Sequence, residues 1–270
     1  MNNRKLLTLI ASALAAATAA LNAQTPPAQP APAPAAAAPS YSLTLTPAFA
    51  SQYMFRGARL GGPSFEPSLE FDSGAFALGV WSNFPLADKV DGQSDPEFDF
   101  YGSYTFAASE SITVVPGFTA YTFPSAEHSK GFYTATFEPN VAVNYTFAGV
   151  KFTPKIYYDV VLKGPTYEFT AAYAVPLASA GTELDFVGTV GTFKWTNFAE
   201  NTSPDVKNWG DYWLVGVSMP FQVTKESKLT VGLAYTEGDN NYLKQGSAHR
   251  VVNTAAVGRG VVSVSYAWTF

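Results

Sequence analysis

The stretch VVSVSYAWTF, residues 261–270, alternates two kinds of side chain. Val262, Val264, Tyr266, Trp268 and Phe270 fall on one face, and Ser263, Ser265, Ala267 and Thr269 on the other. A period of two is the mark of a β-strand, and these two faces ask for different solvents. The same alternation recurs upstream. Near 41–55, Leu43, Leu45 and Phe49 oppose Ser42, Thr44 and Thr46. Near 64–71, Phe65, Leu69 and Phe71 oppose Glu66, Ser68 and Glu70. Near 96–106, Phe98, Phe100 and Tyr104 oppose Glu97, Asp99 and Ser103. Near 131–147, Phe137, Val141 and Tyr145 oppose Thr136, Glu138 and Asn144. Near 150–162, Ile156, Tyr158 and Val160 oppose Lys155 and Asp159; near 166–178, Tyr167 and Phe169 oppose Glu168 and Thr170. Further strands are predicted near 75–84, 111–123, 182–196, 211–223 and 227–238, with the segment at 182–196 the least regular. With the quoted stretch this makes twelve.

The connections carry a second pattern. After the even strands they are brief: DSG, AASE, AG, ASAG and TKES. After the odd strands they are mostly longer and polar, as in GARLGGP, ADKVDGQS, PSAEHSK and DNNYLKQGSAHRVVN, with KGP the exception. The two ends of the strands therefore face different surroundings. An even strand number with short turns at one end and long loops at the other predicts an all-β fold: a transmembrane antiparallel β-barrel of about 12 strands, with short periplasmic turns and longer extracellular loops.

Composition agrees. Only 14% of the residues are charged and 15% are aromatic, whereas soluble domains carry about 25% charged residues. The net charge of −5 comes with no basic stripe, so a nucleic-acid partner is not expected. The absence of cysteine removes disulfides and thiolate chemistry. Arg4 and Lys5 precede the apolar run LLTLIASALAAATAAL and then NAQ, the layout of a secretory signal peptide over residues 1–23; an N-terminal membrane anchor is the alternative. Residues 24–40, QTPPAQPAPAPAAAAPS, are Pro/Ala-rich and read as an extended linker. Residues 41–270 are the expected barrel.

A soluble sandwich would turn the apolar faces inward and the acids outward. The aromatics near strand ends, and polar faces poor in lysine, argue for the reverse: lipid on the ringed face and water in a hollow. Closure then follows, because an unpaired backbone group in hydrocarbon costs several kcal/mol.

Two resemblances extend this reading. Tyr266, Trp268 and Phe270 match the C-terminal signal of Gram-negative outer-membrane proteins, which implies recognition by the barrel-assembly machinery. The segment ASQYMFRGARLGGPSFEPSLEFDSGAFALGVWSNF, residues 50–84, resembles the N-terminal hallmark of TorF-like porins, through Tyr53, Met54, Phe55, Arg56, Gly57, Pro67, Glu70, Gly79 and Trp81. That family usually has Asp where Gln52 stands here.

The candidate functional residues are those predicted to line a pore: Arg56, Glu66, Glu70, Glu97, Asp99, Glu138, Lys155, Asp159, Glu168 and Arg259. Seven acids against three bases leave an excess of four negative charges, which predicts a mild cation preference. Arg56 is expected to reach Glu66 or Glu70, either as a constriction or as an ion pair locking the first hairpin. Enzyme activity, cofactors and a resident metal are not expected. Both histidines, His128 and His249, fall in predicted loops, and the loop acids Asp88, Asp91, Asp205 and Asp211 lack metal-ligand spacing. The expected function is a porin-like channel for small hydrophilic solutes in the bacterial outer membrane, in contact with lipid and lipopolysaccharide. The alternative is an occluded barrel with a structural, adhesive or lipopolysaccharide-contacting role.

Overall fold

Alternation this long, with β-branched and aromatic side chains on one face, commits the chain to strands that must pair with one another. In the computed structural model they do so without an edge. Residues 41–88, 95–126, 134–194, 209–238 and 258–270 are described; the segments predicted as signal peptide and linker, both histidines, Asp91 and Asp205 lie outside them. Twelve wall strands follow in order. Strand one runs as Ser42–Thr46 and Ala48–Ala50, strand two as Ser64–Phe65 and Ser68–Ser73, strand three as Phe76–Pro85, and strand four as Glu97–Tyr104 and Phe106–Ala107. Strands five to eight are Ile112–Thr122, Ala135–Phe147, Val150–Asp159 and Gly164–Leu177. Strands nine to twelve are Thr182–Phe193, Gly210–Gln222, Ser227–Gly238 and Arg259–Thr269. One 3-10 turn, Ala178–Ala180, joins strands eight and nine.

Each strand pairs antiparallel with its neighbours in sequence, and strand twelve closes on strand one through Thr44 opposite Thr269 and Ala48 opposite Ser265. Leu43 and Phe270 exchange backbone hydrogen bonds at the seam. Where a strand is interrupted, at Pro47, at Glu66–Pro67 and at Thr105, its register resumes unshifted. Composing the registers once round the wall returns to strand one displaced by about 16 residues, which for twelve strands gives a tilt of about 45° and a backbone radius of about 12 Å.

Burial is inverted relative to a water-soluble protein. Phe100, Ile156 and Leu233 are 50%, 55% and 54% exposed, whereas Glu97, Glu138 and Asp185 are each 1% exposed. Exposed rings gather towards both strand ends: Tyr104 with Phe106 and Trp268 with Phe270 beside the short turns, Phe65 with Phe84 and Trp213 with Tyr235 towards the loops. An apolar outer belt edged by aromatics, around a polar interior, is the construction of a transmembrane barrel.

The chain departs from its expected course in one place. Strand one was predicted to continue to residue 55, with GARLGGP as an outer loop. Instead the chain leaves the wall after Ala50 and forms a separate two-stranded hairpin, Tyr53–Phe55 with Ala58–Gly61. Arg56 and Gly57 form its turn at φ 45° and 78°, the two positive values of a type I′ hairpin. The hairpin base is tied down on both sides: Ser51 N–H donates to the Val262 carbonyl of strand twelve at 2.8 Å, and Gly62 N–H to the Asp88 carbonyl just past strand three at 3.1 Å. The remainder folds into the barrel.

Candidate functional site

Alternation supplies the raw material of the site: every second residue of twelve strands points into one hollow, and the hairpin crosses it. At the tip, the Arg56 guanidinium donates to both carboxylate oxygens of Glu138 on strand six, at 2.9 and 2.7 Å. Two parallel bonds from a planar fork are the strong form of such a pair. Tyr121 on strand five donates its hydroxyl to the same carboxylate at 2.9 Å. The guanidinium also lies over the Phe55 and Tyr157 rings, 4.7 and 4.8 Å from their centroids. The expected partners of Arg56, Glu66 and Glu70, are not its partners. The turn aims the arginine across the lumen rather than along its own edge, and the contact bridges 82 residues of sequence.

A second carboxylate sits beside this pair. Glu168 on strand eight accepts the hydroxyls of Tyr157 at 3.2 Å and Tyr212 at 2.9 Å. Lys155 stands opposite Glu168 in register, with its Nζ 4.5 Å from the Tyr157 ring centroid. Three tyrosines thus hold two carboxylates around the hairpin tip. The backbone presses against the far wall as well: a Cβ added at Gly57 would lie 2.6 Å from the Glu237 carbonyl oxygen of strand eleven.

The flanks of the hairpin differ. Met54 is buried against Ala50, Val187, Leu214 and Val261, an apolar patch shared by strands one, nine, ten and twelve. Tyr53 turns the other way. Its ring lies 5.8 Å from that of Trp81, and its hydroxyl donates to Glu97 at 2.6 Å. Arg59 donates to Gln52 at 2.6 Å and lies 3.9 Å from Asp88. The hairpin thus contacts strands on opposite sides of the hollow, and Arg56 and Glu138 are only 4% and 1% exposed.

All ten residues predicted to line a pore lie at the hairpin tip or on the inner face. The structure gathers Arg56 with Glu138, and Lys155 with Glu168. Glu66 accepts the Ser64 hydroxyl at 2.5 Å, and Glu70 that of Tyr101 at 3.1 Å. Asp159 accepts the backbone N–H groups of Val161 and Leu162 at 2.8 and 2.7 Å, so it also braces the shortest loop. Arg259 stands at the loop end of strand twelve, part-buried.

The residues predicted to line the pore did not include Asp72, Lys151, Glu183, Asp185 or Lys228. All five face inward by the alternation of their strands. Three added acids against two added bases raise the inward negative excess from four to five among the described residues. The signal for Glu183 and Asp185 was blurred because inward positions of the same strand also carry Val187 and Phe193. Val187 is apolar because Met54 covers it. Among the described residues no group of three or more His, Cys, Asp or Glu could hold a metal ion.

The comparisons agree with this architecture. The solved structure described as "NanC porin structure in rhombohedral crystal form" superposes with a TM-score of 0.50 at 12% identity, covering 84% of this chain and 98% of that one. The "KdgM porin" gives 0.51 at 10% identity, covering 85% and 99%. At those identities the likeness is one of fold. No curated protein matches the sequence. A family model described as "Bacterial protein of unknown function (Gcw_chp)" matches residues 34–267, a span that contains the TorF-like segment but carries a different family description.

Proposed function

The chain belongs to the Gcw_chp family of bacterial proteins, and we propose that it works as a cation-preferring channel for small hydrophilic solutes in the outer membrane. The observation that carries this reading is the inverted wall: exposed rings on the outside surround an inner face that is rich in acidic side chains. Rings of carboxylate favour cations. Of the two porin folds, one is described in a complex with disordered oligogalacturonate; such a polyanion would meet a formal excess of five negative charges on the inner face among the described residues. The outer belt would contact lipid and lipopolysaccharide. Tyr266, Trp268 and Phe270 would present the strand read by the barrel-assembly machinery, and the TorF-like pattern at 50–84 supports a porin kinship. The pore-lining roles of Arg56, Glu66, Glu70, Glu97, Asp99, Glu138, Lys155, Asp159, Glu168 and Arg259 belong to this proposal.

One observation favours a second reading. The hairpin touches so much of the wall that the barrel could be an occluded body with a structural or adhesive role. Planar-bilayer recording of refolded protein separates the two. Discrete conductance steps, with a reversal potential displaced towards the cation under a salt gradient, are expected for the channel. A protein that inserts and stays silent would establish the occluded barrel.

A further inference from the structure

Behind Tyr53, where the hairpin faces strands two, three and four, the inner wall holds an acidic pocket. Asn83 stands opposite Glu97 in register. Between the pairs Ser64 with Pro85 and Ser68 with Trp81, Glu66 falls opposite Asn83 on the other side. Asp99 lies in the next row, opposite Trp81. Glu66, Glu97 and Asp99 are 3%, 1% and 0% exposed. The ion pairs of Arg56 with Glu138 and of Arg59 with Asp88 involve none of these three acids.

A second observation points to a ligand. Asn83 is fully buried in the middle of the row, and neither its amide nitrogen nor its oxygen has a hydrogen-bond partner. Asp99 lies against the Glu97 carboxyl group, and neither of its oxygens receives an N–H or O–H donor from the protein. Buried polar groups are almost always satisfied, and buried carboxylates without a counter-charge are costly. Taken together, the pocket is short of one donor-rich positive group. The acids do not converge in the manner of a metal site. They are spread along two rows, with Tyr53 and Trp81 rings 5.8 Å apart beside them. Several carboxylate and amide acceptors beside an aromatic wall suit an ammonium, which offers three donors at tetrahedral angles and is attracted to ring faces.

We propose that the pocket formed by Glu66, Asn83, Glu97 and Asp99 behind Tyr53 binds the ammonium group of a small cationic solute. This deepens the channel reading by naming a solute class, and it rests on the inner face being the face that solutes touch. Calorimetry reads binding whether or not the barrel conducts, so intact binding in a silent barrel would defeat the channel reading alone.

The test is a calorimetric titration of methylammonium chloride into the refolded full-length protein in detergent, with tetramethylammonium chloride and magnesium chloride at matched ionic strength. Folding is checked for every variant by heat-modifiable electrophoretic migration. Saturable binding is expected for methylammonium and not for tetramethylammonium, which has no N–H donors. Affinity should fall at least tenfold in Glu97→Gln/Asp99→Asn and in Asn83→Leu. It should stay within twofold in Glu110→Gln/Glu226→Gln, which removes exposed acid from the short turns outside the hollow. No saturable signal in folded wild type, equal binding of tetramethylammonium, saturable binding of magnesium alone, or an equal loss in the two acid double variants would each overturn the proposal.

Discussion

Arg56→Ala removes the guanidinium that ties the hairpin tip to strand six, and its effect can be worked from the contacts. Two charge-assisted hydrogen bonds at 2.9 and 2.7 Å disappear, each worth about 1.5–3 kcal/mol. Loss of the stacking on Phe55 and Tyr157 adds about 1 kcal/mol. Two effects work against this loss. Glu138 keeps the Tyr121 hydroxyl, and water entering the hollow can solvate the released carboxylate. The full penalty of about 3–5 kcal/mol for stranding a buried partner is therefore an upper range. A net loss of about 3 kcal/mol, at 1.4 kcal/mol per factor of ten, shifts the ratio of docked to undocked hairpin about 100-fold. In planar bilayers this reads as a rise in the time spent at the larger conductance level. Glu138→Gln should do the same, and the double variant should add little to either single change, because both remove one contact. A change in open time below about threefold, equivalent to less than about 0.7 kcal/mol, would show that this pair does not hold the hairpin in place.

Four further outcomes follow. Glu97→Lys with Asp99→Lys should abolish or reverse the cation preference; an unchanged reversal potential would remove these residues from the solute path. Gly57→Val asks a β-branched residue to adopt φ 78° and places a Cβ 2.6 Å from the Glu237 carbonyl oxygen; hairpin docking should fail, opening the channel, while the barrel still folds by electrophoretic migration. Val231→Arg puts a charge on the outer face opposite Val264 and should cost about 2–4 kcal/mol in urea unfolding from vesicles if that position is near the bilayer midplane, whereas Thr230→Arg on the inner face should cost less and alter selectivity. Deleting Phe270 should lower the amount of folded barrel in the outer membrane without preventing refolding in detergent, which would separate assembly from stability.

The wall was legible because two solvents each impose a rule on every second residue. Phe98, Phe100 and Tyr104 against Glu97, Asp99 and Ser103 leave no other assignment once lipid and water are named. The hairpin was not legible for a local reason. Tyr53 and Phe55 continue the spacing of Phe49, so the segment imitates two more residues of strand one. Its turn uses Arg-Gly in place of the commoner Asn-Gly or Asp-Gly. A trace of it did lie in the sequence, as apolar residues where the inner face should be polar: Val187, Leu214 and Val261, the three that receive Met54 with Ala50. The partner of Arg56 left no trace at all, because a side-chain contact over 82 residues depends on the tilt and closure of the whole wall.

The account stands on which solvent meets which face of the strands, and one measurement addresses that directly. The sequence contains no cysteine, so single-cysteine variants along residues 261–268 can carry a spin label without background. In vesicles, collisions with oxygen, which concentrates in hydrocarbon, should peak at 262, 264, 266 and 268. Collisions with a water-soluble nickel chelate should stay low at those positions. Oxygen maxima at 261, 263, 265 and 267, or no alternation at all, would contradict the barrel as described and the channel with it.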